Sequence, residues 1–294
     1  MDVNQILMQI INGLNIGSIY SLIALGYTMV YGVAKLINFA HGDIIMVGAY
    51  ITYLCMSFFN LDWYNAVIIS ILVCTVLGIT IEKIAYKPLR KASRITLLIT
   101  AIGVSFLLQS GFQLLFTANP KVFIQFINLP SLQIGEIVIA SSYYITLLTT
   151  IILTVILTAF IQKTKIGRAI RAVSEDLQAA ELMGINSNRT ISIVFGIGSF
   201  LAAIAGLLYC SSYPIVSPYI GVLPGLKAFI AAVVGGIGSI PGAVLGGFLL
   251  GFIETFTKAY ISSALSDAIV FTILIIMLVF RPNGILGKNS KEKV

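Results

Sequence analysis

The sequence predicts an all-α fold: a polytopic helix bundle crossing a bilayer about eight or nine times, with one broken or half-length helix. Three observations carry that prediction. Hydrophobic residues make up 58% of the 294 residues and charged residues only 10%, where soluble domains hold roughly a quarter charged residues. The charges are confined to short segments and leave uncharged runs, seven of which span 18 to 37 residues, and about 20 apolar residues cross the hydrocarbon core as a helix. Finally, no run shows the alternating polarity over roughly ten residues that a barrel strand needs. In lipid the backbone must satisfy its own hydrogen bonds, so helices remain. Two water-soluble domains are excluded, and residues 1–294 read as a single transmembrane domain.

In order, the uncharged runs are 3–34, 44–61, 63–81, 95–120, 137–162, 190–226, 228–253 and 268–280. The last extends back toward Ile261, with Asp267 near its outer end. The net charge is +7, and most Lys and Arg fall in three places: five in 82–94, five in 163–189 and four in 281–294. Basic residues clustered in short loops mark the cytoplasmic side. Membrane orientation therefore accounts for the charge without nucleic acid, and attraction to anionic lipid of the bilayer follows from the same loops. Three runs precede the first cluster, which places the N-terminus outside. Two runs separate the first cluster from the second, as a shared face requires. Only three separate the second from the third, which would strand the C-terminal cluster on the wrong face. GGIGSIPGAVLGG (235–247) resolves this, because six glycines and one proline in thirteen residues break a helix. Broken backbone is tolerated at membrane depth where protein or a water-filled cavity covers it. A short helix before the break and another after it restore a cytoplasmic C-terminus.

Segments 61–64, 119–142 and 212–224 then face outward. Trp63, Tyr64, Tyr143, Tyr144, Tyr213 and Tyr219 lie near them, as an interfacial aromatic belt predicts. Pro120, Pro130 and mixed polarity lay 119–142 on the surface instead of across the bilayer. Cys55, Cys74 and Cys210 lie in or beside apolar runs without CxxC spacing and read as small buried residues. The first run follows no basic n-region and precedes no clear cleavage site, so it reads as a retained span.

Two constellations stand out. The loop 163–189, KTKIGRAIRAVSEDLQAAELMGINSNR, is too long for a turn. Ser174 reads as the N-cap of a helix with Glu175 and Asp176 in its first turn, ending at Gly184. Ala179, Ala180 and Met183 share one face at helical spacing. That helix is either a docking element for a cytosolic partner or a cover for the ends of its own bundle. The second constellation, KLINFAHGD (35–43), sets ionisable groups between apolar runs. Polar groups near membrane depth face a bundle interior or a pathway. Asn38, His41 and Asp43, like Gly235, Gly236, Gly238 and Pro241, therefore line a translocation route or fix a helix break, with the structural break favoured over direct substrate contact. The bland alternative is an interfacial loop with Asp43 capping the next helix and His41 solvated. Glu254 and Asp267 are either proton-relay carboxylates or snorkelling, capping or paired groups, Lys258 being one helical turn from Glu254. His41 is the only histidine, so neither a metal site nor metal catalysis is expected. No G-x-S-x-G and no Ser/His/Asp set occur. No catalytic residue and no cofactor are expected, and no phosphate-binding G-x-x-x-x-G-K-[ST] loop occurs.

QAAELMGIN after GRAIRAVSED resembles the cytoplasmic coupling segment of ABC importer permeases. NGLNIGSIYSLIALGYTMVYGVAKLINFAHGDIIMVGAY (12–50) resembles the opening of branched-chain amino acid permeases of the LivH type, and GGIGSIPGAVLGG their glycine-rich segment. The resemblance runs over nearly the whole chain, with the three motifs in the expected order. It implies an inner-membrane subunit without an ATP site, paired with a second, related permease, two ATPase subunits and an extracytoplasmic substrate-binding protein. It also implies that Glu175, Asp176, Ala179, Ala180, Met183 and Gly184 contact the ATPase, with Arg168 and Arg171 flanking. The expected cargo is Leu, Ile or Val. Another small solute (urea, an amide or a different amino acid) remains an alternative, as does an ion-coupled secondary transporter.

Overall fold

A computed structural model describes residues 3–90, 92–127, 129–135 and 137–287. Lys91, Lys288, Lys291 and Lys293, which contribute to two of the basic clusters, lie outside the described residues. The described residues form eleven α-helices: α1 (Val3–Ala34), α2 (His41–Ser57), α3 (Trp63–Ile81), α4 (Arg94–Phe116), α5 (Ser141–Lys163), α6 (Lys165–Glu175), α7 (Leu177–Leu182), α8 (Ser187–Ser212), α9 (Val222–Gly235), α10 (Ile240–Tyr260) and α11 (Ser266–Phe280). Six of the helical stretches are long and apolar enough to cross a membrane, and α9 and α11 are shorter apolar helices.

The core forms where α1 meets α8 and α10. Residues 15–30 of α1 are almost all buried. Small residues let backbones approach closely in membranes, and α1 runs antiparallel to α10 on that basis. A Cβ on Gly13 would lie 2.5 Å from the Phe252 ring, and one on Gly251 would lie 2.3 Å from Gly17 N. Ser21 Oγ donates across the same seam to the Val244 carbonyl at 2.9 Å. Helices α3, α4 and α5 lie at the periphery, with small buried shares, as lipid-facing helices require.

No helix forms among the described residues of segment 117–140, as its prolines predict. Its strand β1 (Lys121–Val122) pairs with β4 (Ile215–Val216), and β2 (Leu132–Ile134) pairs with β3 (Ile137–Ile139). These two short ribbons are the described exceptions to an all-helical fold. The β1–β4 pairing also puts 117–140 and 213–221 on the same face. On the opposite face, Arg90 donates to Asn188 Oδ1 at 2.7 Å, so the first two basic clusters share a side.

The observed helix boundaries depart from the uncharged runs in four places. The run 190–226 is not one crossing: α8 stops at Ser212 and α9 starts at Val222. The intervening turn falls within the outward segment 212–224 that the sequence predicts; it is apolar and uncharged, so hydropathy alone does not mark its ends, although Pro214 and Pro218 signal it. Lys227 does not end a helix but lies buried inside α9. Helix α2 begins at His41, three residues ahead of the apolar run. Helix α11 begins at Ser266 instead of near Ile261, which caps α10. Four helices, α8 to α11, therefore separate the second and third basic clusters, and the parity conflict disappears. Helix α9, at 14 residues, is about 21 Å long, well short of the ~30 Å hydrocarbon core.

Candidate functional site

The loop between α5 and α8 folds as two helices. Thr164 Oγ1 caps α6, accepting from Gly167 N at 2.9 Å, and α6 turns Gly167, Ile170 and Val173 inward. Ser174 is not the N-cap of the next helix. It lies in the last turn of α6, where its Oγ donates to the Arg171 carbonyl at 2.7 Å. Asp176 takes the cap of α7, accepting from Ala179 N at 3.0 Å, because the chain leaves helical geometry at Asp176 and only there. Glu175 consequently belongs to α6. Gly184 has φ +81° and ends α7. Its N–H donates to the Glu181 carbonyl at 2.9 Å, and Ile185 N–H donates to the Ala180 carbonyl at 3.0 Å. The predicted small face divides: Ala180 packs inward, whereas Ala179 and Gly184 are exposed, and Leu182 and Met183 are 89% and 83% exposed. Helix α7 thus presents apolar side chains outward beside a capped, rigid end.

A polar chain links α7 to the bundle. Ser187, first residue of α8, hydrogen-bonds Glu181. The next residue, Asn188, accepts from Arg90, which pairs with the fully buried carboxylate of Glu82. Glu82 Oε2 accepts from Ser192 Oγ. One turn further, Tyr86 donates to Asn38 Oδ1 at 2.7 Å and packs on Phe195. The π-helical turn Glu82–Tyr86 makes this reach by winding α3 on past Ile81.

Asn38 leads to the α1–α2 break, where Lys35 takes φ 53°. His41 is 1% exposed, its ring centroid 4.6 Å from that of Tyr27. A Cβ on Gly26 would lie 2.4 Å from His41 Nε2, so only glycine leaves room for the ring. Asp43 accepts from Gln109 Nε2 at 2.8 Å. The expectations of a solvated His41 and a capping Asp43 are therefore corrected: both are buried, and the N-cap of α2 is Ala40, without a side-chain bond. His41 Nε2 and Asp43 Oδ2 have no hydrogen-bond partner among the described residues.

The glycine-rich segment breaks between α9 and α10. Gly236 and Gly238 take φ +111° and +92°, open to glycine at little cost. Ser239 caps α10, and Pro241 occupies its first turn, where a missing N–H is harmless. The chain after α11 covers the break: Ile285 N–H and Leu286 N–H donate to the Val234 and Gly235 carbonyls, each at 2.9 Å. Gly235, Gly236, Gly238 and Pro241 thus meet at one break, and a Cβ on Gly32, near the end of α1, would lie 3.6 Å from Gly238 Cα.

Glu254, Asp267 and Lys258 gain a fourth partner that spacing along the chain does not reveal, Lys227. Lys227 Nζ lies 2.8 Å from Glu254 Oε1 and 2.7 Å from Asp267 Oδ1. Lys258 also pairs with Glu254, one turn along α10 as the sequence allowed. Tyr20 donates to Glu254 Oε2 at 2.6 Å. In the sequence Lys227 stands alone between two uncharged runs and Glu254 closes the second of them; isolated opposite charges so placed pair in lipid. Glu254→Ala leaves buried Lys227 with Asp267 alone. Losing one partner of a buried pair costs about 3 kcal/mol, so thermal unfolding of the purified complex should show a clear fall in midpoint, and an unchanged midpoint would refute the burial.

This fold and site define a polytopic membrane protein: a helix bundle that carries a short exposed helix hydrogen-bonded into it on one side. Residues 9–278 match the family model described as branched-chain amino acid transport system / permease component. The chain is 42% identical to the high-affinity branched-chain amino acid transport permease BraD of Pseudomonas aeruginosa, over 100% of this chain and 99% of that protein. It is 42% identical to LivH of Salmonella typhimurium, over 98% and 97% of the two chains. PsaBC from Streptococcus pneumoniae, solved in complex with Fab, shares the fold with a TM-score of 0.50 at 13% identity, over 92% of this chain and 91% of that one. The chain belongs to the branched-chain amino acid transport system permease family and is a multi-pass inner-membrane protein.

Proposed function

We propose that this chain is the transmembrane permease subunit of an ATP-driven ABC importer for Leu, Ile and Val. It forms the translocation path with a second, related permease, and residues 163–189 couple it to separate ATPase subunits. An extracytoplasmic binding protein delivers the amino acid. The observation that carries this reading is α7, whose Leu182 and Met183 face outward while Glu181 ties it to α8. Closure of an ATPase dimer would move α7, and the chain of bonds through Arg90, Glu82 and Tyr86 would carry that movement to Asn38 at the α1–α2 break. Family membership and full-length identity to BraD and LivH support the cargo class.

Reconstitution in proteoliposomes with the partner permease, the ATPases and the receptor tests it. Leucine uptake is expected only with ATP and receptor together. Uptake driven by an ion gradient without ATPases would replace this reading with secondary transport. A receptor that binds urea, an amide or another amino acid instead would keep the importer and change the cargo.

A further inference from the structure

The charged cluster lines a cavity of about 230 Å³. Its walls come from the first half of α1, the end of α8, the start of α9, the end of α10 and the start of α11. Those ends adjoin the 213–221 and 261–265 turns, on the face opposite α6 and α7. The cavity is smaller than the usual drug-sized pocket of about 300–1,000 Å³ and suits a solute of a few heavy atoms.

Its chemistry is specific. Two ammonium groups, Lys227 and Lys258, face two carboxylates, Glu254 and Asp267, so the formal charges cancel. Glu254 is engaged on both oxygens: Oε1 by the two lysines and Oε2 by Tyr20. Asp267 and Lys258 differ from it in being open, their side chains 47% and 41% exposed. The mouth therefore offers one accessible anion and one accessible cation. Each is already paired, Asp267 with Lys227 and Lys258 with Glu254, so the cluster is neutral and a solute carrying a single charge would bring an uncompensated charge into it, which is costly. A zwitterion matches both and adds no net charge. Beside these groups stand Ile16, Ile19, Leu223 and the rings of Tyr209 and Tyr213, an apolar wall for an aliphatic side chain.

We infer that this cavity is an outer receiving site for the zwitterionic head of an aliphatic amino acid, Asp267 taking the α-ammonium and Lys258 with Lys227 the α-carboxylate. The inference rests on the import reading and adds to it a direct contact between permease and solute.

Ser263 lines the cavity and is exposed, whereas Cys55, Cys74 and Cys210 are buried. Ser263→Cys in the assembled complex, without receptor, therefore reports on occupancy through its rate of modification by a membrane-impermeant maleimide. Leucine at ten times its half-effective concentration is expected to slow modification about tenfold, by simple occupancy. Isoamylamine and isocaproate, each carrying half of the zwitterion, should protect at least tenfold less well, and urea not at all. Adding Asp267→Asn should remove protection. Lys258→Gln, on the rim, should weaken it at least tenfold if the first variant fails to assemble. Unchanged modification with leucine, or equal protection by isoamylamine, overturns the site. Leucine uptake by the same variant with its receptor separates the two failures. Uptake without protection removes the cavity site alone, and absence of uptake from the wild-type complex removes the import reading alone.

Discussion

Tryptophan in place of Ala179 is expected to uncouple ATP hydrolysis from uptake while leaving the bundle folded. Ala179 is exposed on α7, so an indole there displaces nothing inside the chain. The cap from Asp176 and the turn at Gly184 stay intact. What changes is the outer surface shared with Leu182 and Met183, on which a partner groove would have to close. Coupling free energies between sites run at about 1–3 kcal/mol, roughly 5- to 150-fold in an equilibrium, and a bulky ring in a close-fitting contact forfeits most of that. Uptake should fall at least tenfold relative to ATP hydrolysis when both are measured on the same proteoliposomes, with Ala179→Ser as the control that keeps coupling. Gly184→Val should act in the same direction by a different route, since φ +81° is strained for a β-branched residue. Wild-type coupling in Ala179→Trp would remove α7 as the point of contact.

The uncharged runs announced α1, α3, α4 and α5 within a few residues, because lipid leaves no other way to satisfy a long apolar backbone. The break after Gly235 was legible for the same reason: glycine and proline at that density cannot continue a helix, and the parity of the basic clusters demanded an extra pass. What stayed hidden depends on neighbours distant in sequence. Lys227 stands out in the sequence only as an isolated charge between apolar runs, and that it reaches both Glu254 and Asp267 is set by the fold. The turn at 213–221 lies within the outward segment 212–224 that the sequence predicts, but its ends are unmarked because it is as apolar as the helices it joins. Ser174 and Asp176 are equally good capping residues in isolation, and α6 decides between them by continuing to Glu175 against the bundle. Asn38, His41 and Asp43 were recognised as out of place in an apolar environment. Their partners Tyr86, Tyr27 and Gln109 come from the Glu82–Tyr86 turn, α1 and α4, a juxtaposition that spacing along the chain does not encode.

Alanine at Gly246 is expected to abolish transport, whereas alanine at Gly103 is expected to change nothing. Both glycines sit in helices, and by intrinsic propensity alone each substitution should help by up to about 1 kcal/mol. Packing separates them. A Cβ on Gly246 would lie 2.0 Å from the Ala231 carbonyl oxygen, one on Gly235 would lie 1.9 Å from that of Gly242, and one on Gly242 would lie 2.4 Å from that of Gly235. The obstacles are backbone atoms, which no rotamer change can clear, so α9 and α10 must part along the whole seam. Overpacking of this kind costs about 1–3 kcal/mol per site, and separating the helices also strips Glu254 from Lys227 across the same interface. A Cβ on Gly103, by contrast, meets nothing within 4 Å, because α4 lies at the lipid-facing edge. Gly246→Ala should therefore lower the unfolding temperature of the purified complex and eliminate leucine uptake, and Gly235→Ala with Gly246→Ala should prevent accumulation of the chain in the membrane. Pro241→Ala should be milder, since the proline stands in the first turn of α10 and the positive φ values of Gly236 and Gly238 hold the break without it. Wild-type uptake from Gly246→Ala would mean that α9 and α10 do not touch backbone to backbone, and the glycine-rich segment would then need another explanation.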